Sequence, residues 1–353
     1  MSLTQNSSIS IPSLSPNSGN SGAGTGSSGG GGGVTWVTPL LGATLVTMCV
    51  LGVAGNLYTL AIMRSAVLRR AGSMHVFIVN LAAADLLYLA TIPFVVCTYF
   101  AHDWFFGETG CRVLLSLDLL TMHASVFALV AMSMERYRAV AAPFHARRHS
   151  TIRRHWMVAL GIWTAAFVLT LPMMVMIRLR EGRPGPGGLV KRICFPTWKL
   201  EAFKAYLTVL FFTSMLVPGL VMVGLYAGLA RRYWTAQANL NRRGGTGAGR
   251  RTKLKHKVVA MIFSIVVAYW ACFLPFWGWQ MAKLFSSESL RSLSPAAHTY
   301  VNFFVTCLTY GNSCVNPLLY TLLTRNYKDY LAQRGQSSCS SRGDQGSAAG
   351  ANA

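Results

Sequence analysis

The chain has 353 residues, 52% of them hydrophobic and 12% charged, with a net charge of +22. Soluble domains carry about 25% charged residues, so this composition excludes an ordinary soluble globular protein. A membrane-crossing helix needs roughly 20 mostly apolar residues, and barrel strands would be about half that length and alternate polar with apolar. Seven runs in this chain have helical length. The predicted fold class is therefore an all-α membrane protein, a seven-transmembrane helix bundle.

Residues 1–33 are mostly Ser, Gly, Asn and Pro, with too little large apolar surface to fold. Residues 1–38 are expected to be a disordered tail outside the cell. Asn6-Ser7-Ser8 is the glycosylation sequon of that tail. No cleavable leader is legible, and the first helix is expected to serve as signal anchor. The uncharged runs are Val37–Met63, Trp156–Ile177, Ala205–Ala230, Val258–Ala282 and Thr299–Thr324. Val76–Ala101 carries only Asp85, and Val113–Met134 only Asp118. A flexible linker rich in Gly lies within Trp234–Arg251. After the seventh run, Tyr327, Tyr330 and Leu331 have the spacing of a short helix on the inner membrane surface. The core domain is thus 39–331, with 332–353 a disordered cytoplasmic tail in which Cys339 is a candidate for palmitoylation.

Placing the N-terminus outside leaves 22 of the 32 Lys and Arg on the cytoplasmic side and 10 on the other. That bias follows the positive-inside rule, and the basic clusters suit anionic lipid of the inner leaflet. The same distribution argues against nucleic acid as a partner. The segment Arg178–Lys204 is an exception, with seven basic residues against Glu181 and Glu201. Two readings stand: a solvated loop, or a basic rim that draws in an acidic ligand. Of the eight cysteines, Cys111 and Cys194 alone fall in segments assigned to the oxidising outside. They are expected to form a disulfide.

An ionisable group in hydrocarbon is costly and is kept for a pore, a proton path or a ligand. Asp118 is such a group, seven residues after Cys111 and seventeen before Glu135. Asn56, Asp85, Ser125, Asn312 and Asn316 also lie in apolar runs and should face one another across the bundle. A structural network and a sodium or water site around Asp85, with Ser125 and Asn312, both fit. No inverted repeat of broken helices is visible, which weighs against a transporter. A seven-helix pump or channel would want a Schiff-base Lys or a proton relay, and Thr299–Thr324 has no Lys.

Short motifs stand in order along the runs: Gly55-Asn56, Leu81-Ala82-Ala83-Ala84-Asp85, Cys111, Glu135-Arg136-Tyr137, Trp163, Pro218 with Tyr226, Cys272-Phe273-Leu274-Pro275 and Asn316-Pro317-Leu318-Leu319-Tyr320. Together they resemble the rhodopsin-like, class A, G-protein-coupled receptors over roughly Pro39 to Leu331. Leu117 to Ser125, Trp270 to Trp277 and Thr306 to Tyr327 are similar to the urotensin II receptor group within it, relatives of the somatostatin and opioid receptors.

That resemblance implies a receptor, not an enzyme. It implies a cyclic peptide ligand with a Trp-Lys-Tyr core in a disulfide ring. It also implies a Gq-class heterotrimeric G protein, signalling to phospholipase C and calcium, with arrestin as a further partner and the plasma membrane as location. Asp118 is then the counter-ion for a ligand cation, with Met122 one turn deeper on the same face. Phe276, Trp277 and Gln280 of the sixth helix and Asn302, Thr306 and Tyr310 of the seventh complete the expected pocket. An aromatic-lined pocket with one acid suits a Lys flanked by aromatics, although helix packing alone also accounts for Phe276 and Trp277. An amine receptor would share Asp118, but Leu210 stands one turn outward of Ser214, where such receptors usually carry a hydroxyl.

At the opposite end, Glu135, Arg136, Tyr137, Tyr226, Asn316, Pro317 and Tyr320 are the expected coupling and switch residues, together with Phe273 and Pro275. By the resemblance, Arg136 pairs with Glu135 at rest. Two departures are plain. Phe273 stands where most of the family has Trp, and Lys255 where many relatives place an acid that restrains Arg136. No cofactor is expected beyond an allosteric sodium ion.

Overall fold

A computed structural model describes residues 32–64, 73–101, 103–141, 152–181, 192–242, 248–286, 290, 292–294, 297–298 and 300–318. Its elements are helices α1 (Gly32–Met63), α2 (Ser73–Leu89), α3 (Ile92–Ala101), α4 (Gly107–Ala141) and α5 (Ile152–Met176). Strands β1 (Ile177–Glu181) and β2 (Arg192–Pro196) follow, then α6 (Leu200–Phe211), a π-helical turn (Phe212–Leu216), α7 (Val217–Arg242) and α8 (Ala248–Phe285). A last helix, α9, covers 300–318. Asn6, Cys339, Tyr320, Lys191, the side chain of Lys255 and the expected helix at Tyr327–Leu331 lie outside the described residues.

Five stretches among the described residues are long and apolar enough to cross a bilayer: Pro39–Met63, His75–Thr98, Gly107–Arg138, Ile152–Met176 and Leu200–Arg232. With α8 and α9 they form the all-α seven-helix bundle. Large apolar side chains such as Val50, Leu160, Val168 and Leu220 face outward, as they do where lipid replaces water as solvent. The most apolar stretch of α4 is 61% buried, against 28% in α1 and in α5. The charged helix Asp118 belongs to is therefore the central one, and the outer helices shield it.

Three local departures from regular helices position the rest. The run Val76–Ala101 is not one helix. Pro93 has no N–H to continue the ladder, so the chain breaks between α2 and α3, and Thr91 turns its hydroxyl back onto the Tyr88 carbonyl at 2.7 Å. In the fifth span, Pro218 follows the π turn, whose closing bond runs from the Val217 N–H to the Phe212 carbonyl. Such turns are frequent at functional positions in helices. The third departure is Gly107, whose positive φ of 65° turns the chain into α4 and is a conformation glycine adopts without strain.

The antiparallel pair β1–β2 is an addition that the all-α expectation did not contain. Its register sets Leu179 opposite Cys194 and Glu181 opposite Arg192. It grows directly from the end of α5, and Thr197 closes it by donating both its N–H and its hydroxyl to the Met176 carbonyl, at 2.9 and 2.7 Å. Cys194 is bonded to Cys111 at the start of α4, as expected from their shared side of the membrane.

Candidate functional site

Below the hairpin end of the bundle, α2, α4, α5, α6, α8 and α9 leave a cavity of about 760 Å³, counting its open mouth. Its wall is mostly apolar: Leu115, Leu119, Met122, Met173, Leu207, Phe276 and Trp277 all contribute. Tyr88, Thr121, Gln280 and Thr309 add polar groups, and Asp118 is the only acid among the described lining residues. Its Oδ1 is buried and has no hydrogen-bond partner among the described residues. A carboxylate in that position is unfavourable unless a cation or donor meets it. Trp277 is likewise buried, with its indole N–H unpartnered among the described residues. The site thus offers an acceptor with negative charge and a donor within an apolar wall, a combination typical of small ligand sites.

Of the eight expected pocket residues, Asp118, Met122, Phe276, Trp277 and Gln280 line this cavity. Asn302, Thr306 and Tyr310 do not, because each is engaged elsewhere. The Asn302 side-chain oxygen accepts from the Trp279 indole at 2.7 Å and from the Lys283 ammonium at 3.5 Å. Thr306 donates to the Asn302 carbonyl at 2.8 Å. Tyr310 stacks on Tyr88 with ring centroids 4.4 Å apart and shares a hydrogen bond of 2.8 Å with Thr91. The break at Pro93 sets Thr91 at that point, and helical spacing along α9 alone did not disclose it. Tyr88 and Thr309, joined at 2.9 Å, line the cavity in Tyr310's place.

The floor of the cavity is polar. Ser125, Asn312 and Ser313 reach it, and Ser313 also donates to Asp85 at 2.8 Å. The other oxygen of Asp85 accepts from Asn316 at 2.9 Å. Asn56 joins from α1, donating to the Ser313 carbonyl at 3.0 Å. Asp85, the Ser313 hydroxyl, Ser125 and Asn312 could supply oxygens to a hard cation, whereas the Asn316 amide N–H₂ can only donate. The sequence pointed to Asp85, Ser125, Asn312 and Asn316 but not to Ser313, whose type is ordinary and whose position alone makes it a partner.

At the far end, Glu135 does not pair with Arg136. Its carboxylate takes Arg138 at 3.3 Å and Arg154 of α5 at 3.3 Å, while His155 Nε2 of α5 stands 3.6 Å away, outside hydrogen-bond reach. Successive residues on a helix point in different directions, and here the Glu135 face meets α5. Tyr226 shares a hydrogen bond of 3.3 Å with Ser133. Tyr137 accepts from Arg232 of α7 at 3.3 Å, with the guanidinium also 5.3 Å from the ring centre. Pro275 remains inside α8, and Phe273 leans on Tyr269 with centroids 4.6 Å apart.

The sequence profile described as "7 transmembrane receptor (rhodopsin family)" matches residues 55–320. The chain belongs to that family. This multi-pass membrane protein is a receptor and not an enzyme. The receptor is 47% identical over 310 residues to the Urotensin-2 receptor of Bos taurus, covering 88% of this chain and 75% of that protein. It is 43% identical over 349 residues to the Urotensin-2 receptor of Homo sapiens, covering 95% and 85%. Identity to the Somatostatin receptor type 2 of Mus musculus is 29% over 287 residues, covering 80% and 73%.

Proposed function

We propose that this receptor binds a urotensin II-like cyclic peptide and passes the signal to a Gq-class G protein, phospholipase C and calcium. It works at the plasma membrane, with its N-terminus outside and its C-terminus in the cytoplasm. The observation that carries the ligand reading is the buried, unpartnered Oδ1 of Asp118 in an aromatic and aliphatic cavity. A Lys side chain meets that carboxylate with its ammonium and lays its methylenes along Met122 and Leu119. Flanking aromatic residues of the ring face Phe276 and Trp277. The similarity to two proteins named Urotensin-2 receptor supports the same class of ligand.

Binding at one end biases helix positions at the other by population shift. The oxygen-lined floor near Asp85 supports an allosteric sodium ion, which would favour one of those helix arrangements. Arrestin and anionic inner-leaflet lipid are the further partners. The test is calcium mobilisation in transfected cells against a panel of disulfide-cyclised peptides. A ring holding Trp-Lys-Tyr should act, and the same ring with Lys replaced by Ala should not. Activation by a somatostatin-type ring or a simple amine instead would overturn the ligand assignment.

A further inference from the structure

The link between α3 and α4 carries an acid that the binding site does not use. Asp103 accepts the backbone N–H of Arg192 on Oδ1 at 2.7 Å. Its Oδ2 accepts from the same residue's guanidinium, at 2.8 Å from Nη2 and 3.3 Å from Nε. The guanidinium also lies 5.2 Å from the centre of the Phe105 ring. Arg192 therefore has its counter-ion within the chain, at a surface position. The basic-rim reading of this segment cannot rest on it.

Asp103 is itself held in place. Its neighbour Trp104 is buried, bonds the Gly107 carbonyl through its indole at 2.8 Å, and packs edge-on against Phe106. The acid thus stands directly before an anchored Trp104.

Arg192 and Cys194 are two residues apart on β2, and residues so spaced share one face of a strand. That face is fastened twice, covalently to Cys111 and ionically to Asp103. The disulfide and the hairpin stem both lead toward the cavity. Leu115, one helical turn after Cys111, lines the cavity, and so does Met173, one turn before the hairpin leaves α5. Leu179 and Cys194 pack against the core that holds Leu115, Met173 and Leu207.

We infer that Asp103 is a positioning residue that seats β2 at the cavity mouth through Arg192 and thereby slows the departure of a bound peptide ring. This rests on the peptide-receptor reading above. The disulfide, the ladder with β1 and the Thr197 bonds hold β2 from Cys194 onward, and the Asp103 bonds fix its leading end at Arg192. The pair is charge-assisted and bonds both backbone and side chain, stronger and more directional than an ordinary surface pair.

The experiment uses the full-length receptor in lipid nanodiscs, with wild type, Asp103→Asn, Arg192→Ala and the exchanged pair Asp103→Arg/Arg192→Asp. Amide hydrogen exchange reads the hairpin without any ligand. Dissociation of a fluorescent disulfide-cyclised Trp-Lys-Tyr peptide reads the consequence. Each single variant should raise exchange in 177–181 and 192–196 and speed dissociation by about fivefold, the upper end of what an exposed ion pair contributes. The association rate should move less, and the exchanged pair should recover part of both effects. Unchanged exchange in the single variants overturns the inference, whatever the peptide does. So does raised exchange with unchanged dissociation, or an exchanged pair no better than the singles. Failure of wild type to bind the peptide, with exchange altered in the variants, would instead sink the ligand reading and leave the seating of β2 standing.

Discussion

Tyr269 of α8 donates its hydroxyl to the backbone carbonyl of Ser214 in the π turn, at 3.1 Å. Pro218, four residues beyond Ser214, has no N–H to offer that carbonyl, so a side chain from the next helix serves it. Phe273, which lines the cavity, leans on the Tyr269 ring. A ligand that displaces Phe273 therefore presses on the bond joining the fifth and sixth spans.

Tyr269→Phe keeps the ring and removes the bond. The Ser214 carbonyl is then left short of a partner in a buried place, a loss of roughly 1–3 kcal/mol. The melting temperature of purified receptor should fall. Ligand-free calcium signalling should change as well, because the bond spans two helices that must shift relative to each other. Unaltered melting and basal signalling together would show that the bond contributes nothing to either.

Gly219→Ala tests a second contact between the same two spans by steric means. A Cβ at Gly219 would come within 1.8 Å of Trp270 Cζ2, so the indole or the helix must move. Overpacking of this kind costs about 1–3 kcal/mol. Surface expression and melting temperature should both drop. Adding Trp270→Leu, which removes the ring, should restore most of the loss, whereas Trp270→Leu alone should only leave a cavity.

Asp118→Asn removes the charge and keeps the shape. Leaving a buried ligand cation unpaired costs on the order of 3–5 kcal/mol. Peptide potency in the calcium assay should fall by more than about 100-fold, with surface expression unchanged. Wild-type potency in this variant would place the ligand cation elsewhere.

The seating of β2 should fail only in acid. Hydrogen bonds from Arg192 to the ionised carboxylate hold the Asp103 pKa below its ordinary 3.8, with a backbone bond from Trp104 adding to them. Arg192 keeps its charge throughout, raised by the same pair and by Glu181 opposite it. A carboxyl with a depressed folded pKa contributes stability above its unfolded value and loses it as pH falls through the folded one. Hairpin amide exchange, corrected for its intrinsic rate, should be flat from about pH 8 to pH 5 and should rise below about pH 4. Asp103→Asn should be flat throughout. A rise between pH 7 and pH 5 in wild type would point to a different group.

Much of this receptor is legible in the chain because lipid imposes a simple rule. Each span must satisfy its own backbone bonds and hide its polar side chains from hydrocarbon. Run length therefore gives the seven helices, and an isolated acid such as Asp118 is conspicuous without any structure. Cys111 with Cys194 is legible for the same reason, since topology places them alone on the oxidising side.

What the chain does not display are contacts set by breaks in regular helix and by neighbours far apart in sequence. Pro93 announces a break, but only the folded bundle shows that the break turns Thr91 to Tyr310 and leaves Tyr88 and Thr309 on the cavity wall. Glu135 and Arg136 are adjacent in sequence, yet helical geometry turns them in different directions, and only the packing of α5 brings Arg154 to Glu135. Asp103 is an ordinary loop acid until β2 brings Arg192 against it. Sequence by itself determined the spans, the disulfide and the buried acid, because these follow from the solvent each segment meets. Tertiary structure alone decided which polar partners close on one another, because a hydrogen bond depends on positions to within an ångström or less.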